Sequence, residues 1–333
     1  MLMSQGCRLG RSERSSHRHF DVLEPFTKHR RFNAPIAREL AKDTETAWLA
    51  RRIANCSSRI ALDIEVPDGF DPKAHLKGAK VCNARLCPFC EWRRTKAWRR
   101  RLITGLEQFH GVNPTWRAVF LTLTVKNCRL GDLRATLKDM QEGWNRFRGL
   151  SFFPSSYWFK RTEITVGAGP AGSPFLNGGY TAHPHFHVLL LVPPSYFGKR
   201  YVKQSEWQKQ WQMAMRLDYP PVIDIRSAKT KSTNGSSAID ASRDAAVEAA
   251  KYASKATQLL ELGEALTEFH FQTQNVRYYS VSRDLKEFIS AGDVKISEMM
   301  DESNPDANGD VPMLNGIAQW FEDSQEYLFE TLQ

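Results

Sequence analysis

The chain has 333 residues, 41% of them hydrophobic and 25% charged, enough for one large domain or two modest ones with a real core. No apolar run approaches the ~20 residues needed to cross a bilayer, and the polar, basic start from Met1 to Ser16 is not a secretory signal, so an intracellular protein without a membrane partner is expected. The net charge of +9 is unevenly spread: residues 296–333 carry nine Asp or Glu and no Lys or Arg, leaving +18 on residues 1–295, the balance of a polyanion binder with nucleic acid as the first candidate.

Residues 1–35 are rich in Arg, Ser and His with few apolar anchors and read as a mobile basic arm. Residues 36–60 predict an amphipathic helix with Ile36, Leu40, Trp48, Leu49 and Ile53 inward, ending near Cys56. Of the six cysteines, Cys82, Cys87 and Cys90 form a Cys-x4-Cys-x2-Cys knuckle. Three thiolates this close can wrap one tetrahedral zinc, with Cys56 as the natural fourth ligand. A thioredoxin-like use of Cys87-Pro-Phe-Cys90 would need a strand before it and an open helix after it, and inert thiols are the remaining reading. Directly after the knuckle come Arg93, Arg94, Lys96, Arg99, Arg100 and Arg101, interleaved with Trp92 and Trp98. The pattern suits a basic helix laid along phosphates, with contacts largely independent of base sequence; a solvated helix face is the alternative.

Ala118–Val125 alternates β-branched and apolar residues, a strand with Thr122 and Thr124 on one face. Asp132–Leu150 spaces Leu133, Leu137, Met140, Trp144 and Phe147 as an amphipathic helix packed on a sheet. Trp158–Val166 is a second strand with Glu163 in its middle, and the Gly/Pro-rich run from Gly167 to Thr181 is a connecting loop. The third strand, Ala182–Val192, carries His185 and His187 on one face and Phe186 on the other. Two imidazoles converging on a rigid strand make half of a divalent metal site, or else a hydrogen-bonded pair near a sheet end. If the two strands pair antiparallel, Glu163 comes opposite the histidines as a third ligand. Ser205-Glu-Trp-Gln208 fits a capping box opening a helix to about Leu217, Val222–Ile225 is a short strand, and Ser227–Ser237 is a polar linker. Asp240–Leu262 predicts an Ala-rich helix with Glu248, Tyr252 and Lys255 on one face. Such a flanked phenol is either a nucleophile station or a packed tyrosine between two solvated charges. Val276–Val281 predicts a further strand, and the acidic tail from Glu298 reads as either disordered or a short docked helix.

Together, Phe120–Val125, His183-Pro-His-Phe-His-Val-Leu-Leu190 and Lys251-Tyr-Ala-Ser-Lys255 resemble the three motifs of rolling-circle plasmid replication initiators, in the superfamily of histidine-hydrophobic-histidine (HUH) endonucleases. Cys82–Arg94 is similar to the cysteine cluster of the staphylococcal plasmid branch. The resemblance spans residues ~50 to ~285 and leaves out the arm and the tail. It implies an α+β fold: an antiparallel sheet of about five strands with helices mainly on one face, preceded by a zinc-stabilised basic subdomain. The organisation expected is a flexible arm (1–35), a helical Cys-rich DNA-binding subdomain (36–110), a nuclease domain (111–290) and an acidic tail (291–333). The resemblance implies Tyr252 as the nucleophile of a one-tyrosine enzyme, a divalent Mn or Mg on His185, His187 and Glu163, Glu248 activating water in the terminating cleavage, and Lys255 steadying phenolate or phosphate. Its partners would be plasmid origin DNA, single-stranded or extruded as a hairpin, and a host helicase and DNA polymerase in a bacterial cytoplasm. A relaxase or transposase with the same chemistry, and a catalytically silent zinc DNA-binding regulator, are the rival readings.

Overall fold

The computed structural model describes residues 21–66, 72–168, 179–228, 238–250, 256–290 and 313–332. Three short helices come first: α1 (Glu24–Arg30), α2 (Asn33–Leu40) and α3 (Ala47–Ala54). The single helix expected over 36–60 is therefore two. The break falls at Asp43–Thr46, where the Asp43 carboxylate accepts from the Glu45 amide and the Thr46 hydroxyl donates to the Leu40 carbonyl, so side chains replace helical partners. The helices also begin inside the stretch expected to be a mobile arm. Leu23, Phe26 and Ile36 are buried, Phe26 edge-on to Trp92, and those contacts order residues 21–35.

The chain continues through β1 (Arg59–Glu65), β2 (Lys73–Ala79), α4 (Pro88–Val112), β3 (Arg117–Thr124), β4 (Cys128–Arg129), α5 (Leu133–Phe147), β5 (Trp158–Ala168) and β6 (Tyr180–Val192). Then follow α6 (Gln204–Met215), β7 (Ile223–Ser227), α7 (Ala238–Ala249), α8 (Ala256–Glu261), α9 (Leu266–Thr273), β8 (Tyr279–Val281), α10 (Arg283–Ser290), β9 (Met313–Phe321) and β10 (Glu326–Thr331). The residue at the N-cap of α6 is Lys203, without a side-chain cap, so Ser205 lies inside the helix and the expected capping box is not formed.

The larger sheet runs β7-β3-β6-β5-β8, all antiparallel, with the short β4 also pairing β6, one strand more than the five expected. Its two faces are both covered, a departure from the expectation of helices mainly on one. On one face Val119, Leu121, Phe186, Val188 and Leu190 pack against Met140 and Trp144 of α5 and Trp207 and Trp211 of α6. On the other, Phe120, Phe159, Leu189 and Leu191 share a core with Leu102 and Leu106 of α4, Ala246 of α7 and Leu285 of α10. The unbroken apolar run Val188–Val192 follows from this, since a strand covered on both sides has no position left for water.

The smaller sheet, β10-β9-β1-β2, joins residues more than 250 positions apart: Ile60 pairs with Ala318 and Leu62 with Gly316. The end of the acidic tail is thus a β-hairpin, neither disordered nor helical. Ala318, Trp320, Tyr327 and Phe329 are buried, and burying them against β1 and α1 outweighs the local acidity. A Cβ on Gly316 would run into the Glu330 carbonyl and the Phe329 ring, so only glycine lets β10 close on β9 there. Buried residues of both sheets belong to one continuous core, and α4 crosses the position 110/111 at which a domain boundary was expected.

Candidate active site

The strand register builds the site. In β6, His185 and His187 fall on the same face, and in β5 Glu163 pairs directly with His185 while Arg161 pairs with His187. The Glu163 carboxylate lies 3.0 Å from His187 Nε2 and 3.7 Å from His185 Nε2, so the three residues expected as metal ligands converge. On the other side of β6, Thr122 of β3 pairs with His187, and its hydroxyl sits 3.2 Å from His187 Nδ1. That contact and Glu163 fix both nitrogens of one imidazole. His185 Nδ1 faces the His183 carbonyl at 3.2 Å.

Electrostatics keep Glu163 and His187 in the forms a cation needs. Burial acts to raise the Glu163 carboxyl, but hydrogen bonds from His185 and His187 and the Arg161 guanidinium override it and hold the acid well below the usual carboxylate range. Burial pushes His187 down, towards the neutral imidazole that ligates. One carboxylate and two imidazoles form a mixed N/O donor set that suits a divalent ion, with positions left for water or substrate oxygen. Arg161, 1% exposed and bonded to Glu163, completes the cluster. It was not anticipated, although a residue two places before Glu163 on a strand necessarily shares its face.

α7 lies across this face, touching β3, β5 and β6. Its Glu248 lines a groove of about 700 Å³ at the β7 edge, together with Asp244, Arg226, Phe120 and Tyr201. Phe120 connects groove and site, its ring centroid 5.5 Å from that of His187. Tyr252 and Lys255 lie outside the described residues. They follow Ala250, which is buried and hydrogen-bonded to the end of α7.

The four expected thiols also meet. Cys56, Cys82, Cys87 and Cys90 are all buried with their sulfurs within 4.8 Å of one another; Cys56 and Cys90 are 3.5 Å apart, Cys82 and Cys90 3.7 Å. Zinc–sulfur bonds of ~2.3 Å in tetrahedral geometry place sulfurs ~3.8 Å apart, so the cluster has the size of one zinc. Without a cation the thiols titrate apart: the hydrogen bond to Cys82 drives Cys56 far above the usual range, burial does the same to Cys87, and the bond from Cys56 pulls Cys82 down. A bound cation would relieve that conflict, and the buried cluster of four cysteines can hold a metal.

The basic segment after the knuckle is the first half of α4, begun by Pro88 at its first turn. Its tryptophans are core: Trp92 packs on Phe26, His29 and Phe89, and Trp98 stacks on Tyr279 at 5.4 Å between ring centroids. Arg94 is a brace, bonded to Glu91 at 2.8 Å and to the carbonyls of Asn83 and Ala84, so it clamps the knuckle to its helix. Lys96 and Arg101 lie over Trp92 and Trp98, Arg93 and Arg100 are half-buried, and Arg99 is exposed.

Comparison with known proteins bears on the family. A family described as "Replication protein" matches residues 73–328, reaching into the C-terminal hairpin beyond the ~285 expected from the motifs. A "Protein rep" of Bacillus amyloliquefaciens is 29% identical over 309 residues, 84% of this chain and 85% of that protein. Another "Protein rep", of a Bacillus sp, is 29% identical over 273 residues (75% and 84%). A "Replication protein" of Staphylococcus aureus is 28% identical over 233 residues (65% and 92%). No solved structure matches. With most of its length matched and its three motifs in order, the chain belongs to the replication-protein family, that of the rolling-circle plasmid initiators.

Proposed function

We propose that the protein nicks plasmid origin DNA by tyrosine transesterification, leaving a 3′-OH primer for rolling-circle replication. The observation that carries this reading is the convergence of Glu163, His185 and His187 on the sheet face crossed by α7, the helix that leads into Tyr252. A tyrosine of pKa ~10 is a weak nucleophile without help. A divalent ion, Mn or Mg, held by His185, His187 and Glu163, would polarise the scissile phosphate and offset its developing charge. Tyr252 Oη attacks phosphorus, its proton passing to water or a nearby base. The bond from phosphorus to the 3′ oxygen breaks, that oxygen takes up a proton, and a 5′-phosphotyrosyl protein remains. Glu248 is the base that activates water for the terminating cleavage, and Lys255 steadies phenolate or phosphate.

The groove beside Glu248 suits the single-stranded substrate, with the exposed Tyr201 as a surface on which a base stacks. Tyr279, in register with Arg161, is a poor competing nucleophile: burial first, then the charge of Glu91, pushes its phenol up. A structural zinc on Cys56, Cys82, Cys87 and Cys90 would seat α4, whose Arg93, Lys96, Arg99, Arg100 and Arg101 meet DNA phosphates. A host helicase and DNA polymerase would then take over the nicked origin in the bacterial cytoplasm.

The test mixes full-length protein with supercoiled plasmid and labelled single strands bearing its own origin, with Mn or with EDTA. A covalent protein–DNA band that survives denaturation, requires metal and disappears in Tyr252→Phe is the expected outcome. Binding without any such band would instead favour a catalytically silent zinc DNA-binding regulator.

A further inference from the structure

On the sheet face opposite Glu163, His185 and His187 lies a cleft of about 420 Å³ between α5, the turn at Asn275 and the edge of β5. Arg134, Lys138 and Arg277 line it, the Arg134 guanidinium also donating to the Phe271 carbonyl, with Gln141, Thr162 and Ser280 as neutral hydrogen-bonding neighbours, and no Asp or Glu lines it among the described residues. A fourth cation stands behind its wall. Lys160 is 0% exposed, its ammonium 3.1 Å from Gln141 Oε1 and 3.6 Å from the centroid of Phe186, both of which line the cleft. Among the described residues none of these four cations forms an ion pair. A surface lysine alone would signify nothing; a fully buried ammonium behind a cleft lined by three further cations is a costly arrangement that an anion relieves. Burial, and after it the charge of Arg277, pushes Lys160 down to about 7, the direction a missing counter-ion produces. The turn that presents Arg277 is itself committed, with Asn275 in the left-handed region at φ 62°.

We propose that this cleft is a second phosphate-binding site, taking a phosphodiester of bound DNA through Arg134, Lys138 and Arg277, with the buried Lys160 adding its charge from behind Gln141 and Phe186. It rests on the nuclease reading for its ligand and adds a contact away from the cutting centre. Thr162 and Glu163 are chain neighbours on opposite faces of β5, so one strand thickness separates cleft and metal site. DNA held at both points would be gripped across the sheet edge, which positions a strand without reading its bases.

The experiment measures affinity of the full chain for a labelled single-stranded oligonucleotide by fluorescence anisotropy in EDTA across a KCl series. Wild type is compared with Lys138→Ala/Arg277→Ala, with Lys160→Met, and with the charge-matched Arg38→Ala/Arg51→Ala. The cleft double variant is expected to bind roughly 10-fold more weakly at low salt, with a log–log salt slope shallower by about 1 to 2. Lys160→Met should also bind more weakly while melting no lower than wild type, because it removes a buried charge. Equal losses in the two double variants, or an unchanged slope in the cleft variant, would overturn the proposal. A parallel melting series with inorganic phosphate and pyrophosphate separates the sources. Stabilisation that the cleft variant loses, together with an unchanged DNA slope, would mark a site for a free phosphate compound and overturn the DNA assignment. The covalent-band assay reads the nuclease separately: a band in wild type with no cleft effect sinks only this inference, and no band at all sinks the nuclease reading.

Discussion

Glu163 shares one carboxylate among two imidazoles and a guanidinium, and the four groups differ in what each can lose. Arg161 is almost wholly buried, whereas His187 is partly exposed. Glu163→Gln therefore takes a carboxylate away from a buried guanidinium, a change that costs about 3 to 5 kcal/mol in buried pairs and less where one partner reaches water. His187→Gln removes a ligand but no buried charge partner. Both variants are expected to bind Mn at least ~10-fold more weakly in calorimetric titration. Only Glu163→Gln should also lose about 2 kcal/mol or more in denaturant unfolding of the metal-free protein. Equal stability of the two variants would show that Arg161 does not depend on Glu163.

At the scale of elements, α4 links the two candidate metal centres. Its N-terminal turn carries Cys90 and Glu91, and the Glu91 carboxylate accepts from Arg94 and from the Tyr279 hydroxyl at 3.3 Å, tying the knuckle to the strand beside β5. Arg94 and Arg99 look interchangeable in a basic run but stand in different surroundings. Arg94→Ala strips three hydrogen bonds from the knuckle and should lower the melting temperature by several degrees, at about 1 to 3 kcal/mol for charge-assisted bonds. Arg99→Ala should leave melting unchanged and make the salt dependence of DNA binding shallower. The opposite pattern would mean that Arg94 faces DNA and the knuckle stands without it. Cys82→Ser probes the same element: loss of one zinc equivalent by elemental analysis, with a lower melting temperature, is expected.

At the scale of the molecule, the C-terminal hairpin is built into one sheet with β1 and β2. The acidic segment 296–333 invites the expectation that its removal strengthens nonspecific DNA binding. The pairing of β9 with β1 changes the expected outcome, because truncation after residue 295 strips two strands and the buried side chains of Trp320, Tyr327 and Phe329 from the core that also holds the cysteines. Truncated protein should melt well below the full chain and release bound zinc more readily to a chelator. Gly316→Ala gives the same test with one methyl group: a Cβ that meets backbone forces β10 away, and destabilisation of ~1 to 3 kcal/mol is expected. Wild-type melting of either variant would show that the hairpin is an ornament on the fold rather than part of its core.

Local spacing in the sequence was enough for the site's parts. Period-2 alternation placed His185 and His187 on one face, the antiparallel return brought Glu163 opposite them, and the cysteine spacing grouped Cys82, Cys87 and Cys90, with Cys56 joined to them by the β1–β2 pairing, because each relation is set by backbone geometry over a few residues or one strand pairing. The cover on both faces of the sheet is also written in Val188–Val192, whose unbroken apolar run leaves no solvent side, although the run alone says only that the strand is buried. Long-range pairing was not legible. β1 carries mixed charge, β9 follows an acidic stretch, and the two pair across some 250 residues, so no short window contains that reason for forming strands. The same holds for Arg94, Trp92, Trp98 and Lys160. The sequence by itself determined their chemistry, charge or ring; only tertiary structure decided which of them face water, which brace a knuckle and which are buried, because burial depends on what the rest of the chain lays over them.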